Sequence, residues 1–426
     1  MFFSDRSRAA KLVHSPPGDR LAGMNLGSAS LSPGTTSASA AGTIGMPADW
    51  AKPMVDPAAF AEEQSRLAQV WTFLGFASEA ADDGDWFRAR LATRSVFVQR
   101  DGEVLRGFEN LCLHRFHPLR TAVRGHGPIV CGFHHWRYDA QGRLAGAPKC
   151  EQMFGAPAGA LGVRLNPIEI ATCGDFVFGR FAGGRVSLED WLGEGFPILQ
   201  AMSRPGAGGP GPNGGWKPYG MAIAANWRLR MHVSLEDYHI VAVHPRTFGR
   251  DGYQNRGDMG YFRFGAGGAH SARIGPTAAD AFSQMARACE AGTWRSEHYR
   301  VFQIFPNLVV AHFHGYDQHW YVAIEQFDPL APDRTQLRGW LAAAPFKPAR
   351  PRPAHYRWTE PAITPLRHHL VLRAAHQIGH EDNAACERVQ TAASQAQAAP
   401  MLGALEERIG WFEEAYRAAM AGALGS

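Results

Sequence analysis

Two short segments carry one cysteine and one histidine each: Cys112-Leu-His114 and, after sixteen intervening residues, Cys131-Gly-Phe-His134. Thiolate and imidazole are metal-binding side chains. Two such pairs on two loops form the ligand set of a Rieske [2Fe–2S] cluster, in which one iron takes both thiolates and the other both imidazoles. A single zinc ion would accept the same four residues, but zinc modules pair Cys with Cys and His with His along the chain. Here each segment mixes the two, as a cluster divided between two irons requires. The plain alternative is four unrelated core residues.

Downstream, Asn226-Trp227-Arg228 leads to Leu235-Glu236-Asp237-Tyr238-His239, and His244-Pro245 follows five residues on. Two His and one carboxylate on one face are how non-haem Fe(II) oxygenases hold iron, with the opposite positions open. A spacing of five turns the two side chains about 140° apart on an ideal helix. The helix must therefore end or bulge for both rings to reach one ion, and Pro245 marks such a stop. Two histidines at this spacing are by themselves more often coincidence or a hydrogen-bonded pair. Behind the Cys-His segments, and with Glu and Tyr just before them, they point to a second metal.

The run Asn110-Leu-Cys112-Leu-His114-Arg115 … Cys131-Gly-Phe-His134-His135-Trp136-Arg137-Tyr138 … Gly142-Arg-Leu144 resembles the Rieske domain of ring-hydroxylating oxygenase large subunits. That family has Gly after its first Arg and after its last cluster His; this chain has Phe116 and His135, both beside the cluster. The stretch Gly379-His380-Glu381-Asp382-Asn383-Ala-Ala-Cys386-Glu387-Arg-Val-Gln390 resembles the family's late helix, whose Asp binds the mononuclear iron, which assigns Asp382. Glu381 and the His376/His380 pair, four apart on one helix face, remain alternatives. The resemblance also gives Glu236 a role, bridging the iron-ligand His of one subunit to a cluster His of its neighbour. A carboxylate there fixes imidazole tautomer and orientation. Asp237, one register off, reads as an exposed helix carboxylate. Where the family often carries Glu-Asn upstream of the bridging acid, this chain has Met231-His232-Val233.

The remaining chain sets bounds. Its net charge is 43 − 39 = +4, with no basic face for nucleic acid. No apolar run approaches the roughly eighteen residues of a membrane helix. Six cysteines, two of them in the cluster motif, do not make a disulfide framework in so long a chain. A reducing cytoplasm is expected. Residues 1–48, rich in Ser, Ala, Gly and Thr, read as a disordered tail. Asp56-Pro57 opens a helix. Ser95–Arg106 reads as a β-hairpin with Asp101-Gly102 as its two-residue turn. Helices are expected around 220–240 and 277–291. Leu308–His314 reads as a strand with His312 and His314 on one side, either lining a pocket or satisfied on the sheet. Gly265–Gly268 lacks a P-loop lysine and a nucleotide-binding setting.

The expected fold is α+β: an antiparallel-β Rieske [2Fe–2S] domain and a catalytic domain with helices on an antiparallel sheet, of helix-grip type. The expected order is a tail over 1–48, an N-terminal helix over 49–75 packing on the catalytic domain, and the Rieske domain over 76–203. A Gly/Pro linker over 204–215 and the iron domain over 216–426 complete it. The resemblance, over roughly residues 50–426, implies an oxygenase that hydroxylates, dihydroxylates or oxidatively demethylates a small organic, chiefly aromatic, substrate with O2. It implies a homotrimer, and electrons from a separate NAD(P)H-dependent flavin/Fe–S reductase, with or without a ferredoxin. The competing reading is a Rieske electron-transfer or redox-sensing protein whose C-terminal domain only binds.

Overall fold

The structure, a computed structural model, describes residues 44–424 except 182, 206–214, 246, 248–259, 276, 277, 279, 316–318, 350–355 and 397; of 356–368 only the backbone is described. Two antiparallel sheets of seven strands organise it. The first runs in the order Thr72–Phe76, Phe176–Phe181, Pro167–Cys173, Val104–Glu109, Arg94–Asp101, Asp85–Leu91 and Arg124–His126. A three-stranded sheet, Ile129–Val130, Arg137–Tyr138 and Leu144–Gly146, stands beside it. Between them lies a separate small core that includes Phe97, Phe108, Leu119, Trp136 and Tyr138, and both cysteines of the motif sit in it.

The second sheet runs Lys217–Ile223, Arg334–Ala343, Trp320–Ala331, Leu308–His314, Arg300–Ile304, His270–Ile274 and Gly260–Phe264. The long helix Tyr356–Ala393 lays Val371 and Leu372 against Ala311, Phe313, Tyr321 and Ala323 on one face. The opposite face and the first sheet share an aromatic seam in which Phe73 and Phe76 meet Trp340 at 5.7 and 5.4 Å between ring centroids. Across the seam, Gln326 Nε2 donates to the Phe73 carbonyl at 2.6 Å.

Local signals account for most element starts. Asp56 caps the helix Pro57–Leu67, its Oδ1 accepting from Ala58 N at 2.8 Å, and Pro57 occupies the first turn, where no N–H is missed. That helix inserts Glu63 against the second half of the chain, where Trp227 Nε1 and Tyr416 Oη donate to it at 2.8 and 2.6 Å.

Several expectations change. The 94–109 hairpin forms, but Asp101 pairs with Val104, so the turn is Gly102-Glu103. Only Gly102 has positive φ, the pattern of a II′ turn. Residues 217–223 form a strand rather than the start of a helix, paired from Lys217–Leu341 to Ile223–Thr335, and helix is limited to Trp227–Val233 and Ile240–Val243. Of the expected tail, residues 1–43 lie outside the described residues, whereas Ile44–Gly45 pair with Met401–Leu402 and Met46 is buried. The middle of the expected linker, 206–214, also lies outside the described residues. His312 and His314 do share a side and flank Trp320, but it is the face away from the long helix, and His312 Nε2 bonds Ser296 Oγ at 2.9 Å.

Candidate metal centres

The two Cys-His loops have the same backbone. Cys112 N–H donates to the His117 carbonyl and Phe116 N–H to the Cys112 carbonyl, at 2.9 and 2.8 Å. Cys131 N–H donates to Trp136 and His135 N–H to Cys131, at 2.8 and 3.0 Å. Closing this loop puts the fourth residue after each cysteine in the left-handed region, Phe116 at φ 60° and His135 at φ 56°. These are the two places where glycine was expected from the resemblance, and the left-handed backbone explains why glycine suits them.

Both cysteines are buried. The His114 ring stacks on Trp136, centroids 4.7 Å apart and 8° from parallel, and meets the His134 ring at 4.7 Å and 72°. The Nδ1 atoms of both histidines are buried with no hydrogen-bond partner. A buried polar atom without a partner is costly unless something else binds it. Two adjoining imidazoles with unpartnered buried nitrogens, on the same two loops as two buried cysteines, fit a divided iron–sulfur cluster. Tyr138 Oη lies 3.4 Å from Cys112 Sγ and accepts from Leu113 N–H at 3.1 Å, while Phe133 N–H reaches Cys131 Sγ at 3.5 Å. Tyr138 and Trp136 stand in the motif, but nothing in their spacing says that one meets a cluster sulfur and the other a cluster imidazole.

At the second site the helix Trp227–Val233, capped by Asn226, ends and a turn carries Glu236 and Asp237 to His239. His239 begins the one-turn helix Ile240–Val243, and His244 ends it with φ −112°, ψ 42°, so the chain stops being helical just before Pro245. That break brings the two rings to 5.3 Å between centroids. His244 Nε2 and His239 Nε2 lie 2.9 and 3.5 Å from the same atom, Asp382 Oδ1, which the long helix supplies. The three ligand atoms lie within 4.8 Å of one another, and no other such group of three occurs among the described residues. Asp382 is buried, with Oδ1 within ion-pairing distance of both rings. Two nitrogens and an oxygen gathered round one point fit a shared cation.

The other ring nitrogens are already engaged. Glu236 accepts from His239 twice, at 2.5 Å from Nδ1 and 3.0 Å from the backbone N–H. Glu381 Oε2 lies 2.7 Å from His244 Nδ1 and also accepts from Thr247 Oγ1. Carboxylates behind the imidazoles leave both Nε2 atoms to face Asp382, the usual support of metal-bound histidine. Glu381, weighed as a rival ligand, therefore stands one layer out. The His376 and His380 rings are 6.5 Å apart, with His376 against Tyr219, and they join no group of three.

Asp237 is not an exposed helix carboxylate. It pairs with the buried Arg273 of the His270–Ile274 strand, because residues 234–239 form a turn and helical register does not apply there. Sequence reasoning missed Arg230 altogether. Its Nη2 lies 3.1 Å from Asp382 Oδ2. A second arginine in a short helix start gives no sign of what it meets from 150 residues away.

Electrostatics follow from this packing. Burial alone would raise the Asp382 pKa, but Arg230 and the two histidines outweigh it and hold the carboxyl well below the carboxylate range. Burial disfavours charge on His239, yet its bonds to Asp382 and Glu236 win and lift its pKa to about 9.

The Rieske [2Fe-2S] domain family matches residues 70–164, and the ring hydroxylating alpha subunit (catalytic domain) family matches 212–422. The chain is 28% identical over 195 residues to the large oxygenase component of the naphthalene 1,2-dioxygenase system of Pseudomonas aeruginosa. That alignment covers 44% of this chain and 42% of the relative. It is also 28% identical over 195 residues to the carnitine monooxygenase oxygenase subunit of Escherichia coli (strain K12), covering 43% and 48%. Both matches thus span less than half of the curated relatives' length. The fold is similar to that of naphthalene 1,2-dioxygenase from Rhodococcus sp. bound to indole, with TM-score 0.65 and 19% identity over 87% of this chain and 93% of that one. A cluster-binding domain followed in the same chain by a ring-hydroxylating catalytic domain implies a Rieske cluster and a mononuclear iron. The chain belongs to the Rieske non-haem iron oxygenases, in the family of ring-hydroxylating oxygenase large (alpha) subunits.

Proposed function

We propose that this chain is the oxygenase component of a multicomponent system that hydroxylates, cis-dihydroxylates or oxidatively demethylates a small organic substrate with O2. A separate NAD(P)H reductase, with or without a ferredoxin, would supply the electrons. The observation that carries this reading is the convergence of His239 Nε2, His244 Nε2 and Asp382 Oδ1 on one point. Three ligands on one side leave positions for O2 and substrate, which a closed structural site would not.

Cys112 and Cys131 would bind one cluster iron as thiolates, and His114 and His134 the other through the buried Nδ1 atoms. His239, His244 and Asp382 would hold the mononuclear iron. When bound, the cluster supplies single electrons and the iron activates O2. The residues around them orient and insulate. Glu236 and Glu381 fix the His239 and His244 tautomers, and Trp136 shields one face of His114.

With Nδ1 turned inward, the outer Nε2 of a cluster histidine is free to meet a neighbouring subunit. Glu236, whose oxygens can each accept a further bond, is assigned to bridge it to His239. This reading makes the assembly a homotrimer. Two exposed apolar groups support it: Leu113, Phe116 and Phe133 around the cluster loops, and Tyr238 and Val241 beside His239. The cytoplasm is the proposed compartment. No helix among the described residues is long and apolar enough to cross a membrane.

Aromatic compounds head the proposed substrates, supported by the naphthalene-oxidising relative; quaternary amines come second, supported by the carnitine monooxygenase. O2 consumption with a reductase, over a panel of aromatic acids, heteroaromatics, steroids and quaternary amines, tests the reading. Coupled uptake and an oxygenated or demethylated product are expected with one class. A protein that is reduced and reoxidised but never forms product would return the electron-transfer alternative.

A further inference from the structure

Arg230 lies in the helix Trp227–Val233 with only 3% of its surface exposed. Its Nη2 lies 3.1 Å from Asp382 Oδ2 and 3.6 Å from Glu325 Oε2, and its Nη1 donates to Ser234 Oγ at 2.8 Å. The guanidinium packs over the Phe327 ring, 4.8 Å from the centroid. Glu325 is itself held on its other oxygen by Tyr219 Oη at 2.8 Å. The guanidinium is thus fixed on four sides. It cannot turn toward solvent, and among the described residues Asp382 and Glu325 are the two carboxylates it pairs with.

The consequence falls on Asp382, whose two oxygens have separate duties. Oδ1 faces His239 Nε2 and His244 Nε2. Oδ2 is taken by an ion pair with the buried guanidinium, 3.1 Å from Nη2. A carboxylate with both oxygens free commonly chelates a cation through the pair; one with an oxygen held by a buried guanidinium has a single oxygen to give. We propose that Arg230 is a positioning residue that restricts Asp382 to one-oxygen ligation of the mononuclear iron, keeping open the coordination position that Oδ2 would otherwise fill. The inference rests on the iron assignment made above.

The test uses full-length protein with an oxidised cluster, Fe(II) in the second site and nitric oxide as the probe. The iron–nitrosyl EPR signal is recorded in ordinary water and in water enriched in oxygen-17, which broadens the lines when water remains on the iron. Wild type should be broadened. R230M keeps an unbranched apolar stem and removes the donors, so Oδ2 should swing onto the metal, change the line shape and reduce the broadening, since one position fewer is left for water. R230K, which retains a cationic donor group, should restore the broadening. If R230M folds poorly, R230M/E325Q removes one of the two carboxylates with the arginine and preserves local charge balance. The same reduced broadening is expected there.

Broadening and line shape equal to wild type in R230M or in the double variant would overturn the inference. So would an unbroadened wild-type signal. Iron lost from both variants, with the cluster spectrum intact, would overturn it too, since Arg230 would then be needed to place Asp382 at all. A wild-type protein that binds Fe(II) but gives no nitrosyl signal, or binds none, would instead sink the iron assignment itself.

Discussion

Phe116 and His135 occupy left-handed backbone that a side chain tolerates at a cost of roughly 1–2 kcal/mol per residue. Phe116 is 70% exposed and so returns little of that through burial. F116G should therefore stabilise the cluster-loaded protein by about 0.5–1 kcal/mol, after allowing for the extra chain entropy of glycine. F116A should not, and thermal unfolding of the two variants separates backbone relief from loss of the ring. Tyr138 makes a second residue-scale case. Its hydroxyl sits 3.4 Å from Cys112 Sγ, and hydrogen bonds to cluster sulfurs raise the potential by favouring the more negative, reduced state. If that preference is worth about 1 kcal/mol, Y138F should lower the potential by on the order of 50 mV, 59 mV being about 1.4 kcal/mol for one electron. Protein-film voltammetry would show it; an unchanged potential would leave Tyr138 as a support for Leu113 only.

Between elements, a buried set of charges ties the helix Trp227–Val233 to the last helix, Glu407–Met420. Arg228 Nη2 donates to both Glu413 oxygens, at 2.8 and 2.7 Å, and His232 Nε2 lies 2.8 Å from the same carboxylate. Removing one partner strands the other in the core, so E413Q should cost about 3–5 kcal/mol, and the matched R228M/E413L change less. Burial pushes the Glu413 pKa up, but Arg228 and His232 outweigh it and depress it to about 2. A carboxyl depressed in the fold adds stability above its unfolded pKa, about 4.3, and loses it as pH falls toward 2. Unfolding free energy should drop across that window in wild type and less steeply in E413Q. Here too lies the limit of what the sequence discloses. Met231-His232-Val233 stood out as a departure from the Glu-Asn pattern, but the partner of His232 is 181 residues away. The hairpin turn slipped by one residue because strand pairing, not the Asp-Gly pair, sets its register.

Across the molecule, legibility follows range. Cys112, His114, Cys131 and His134 lie close along the chain, and their spacing alone implied a divided cluster. His239 and His244 were legible as a pair because Pro245 forces the break that joins them. Asp382 needed the resemblance, and Glu381 and Arg230 needed the fold, since their tasks arise only when the long helix crosses the second sheet. The proposed assembly makes its own prediction. E236Q keeps shape but loses charge, so both metal centres should stay loaded. Electrons should then leave a pre-reduced cluster much more slowly when O2 and substrate are added. Reoxidation at the wild-type rate would remove Glu236 from the electron path.

The central claim, a Rieske cluster and a separate iron held by His239, His244 and Asp382, is tested most directly without any substrate. Iron is counted per chain in wild type, H239A and H244A, beside the visible and EPR spectra of the cluster. The wild type should hold about three irons and each variant about two, with the cluster spectra unchanged. A variant that still holds three irons, or a wild type that holds only two, would contradict it.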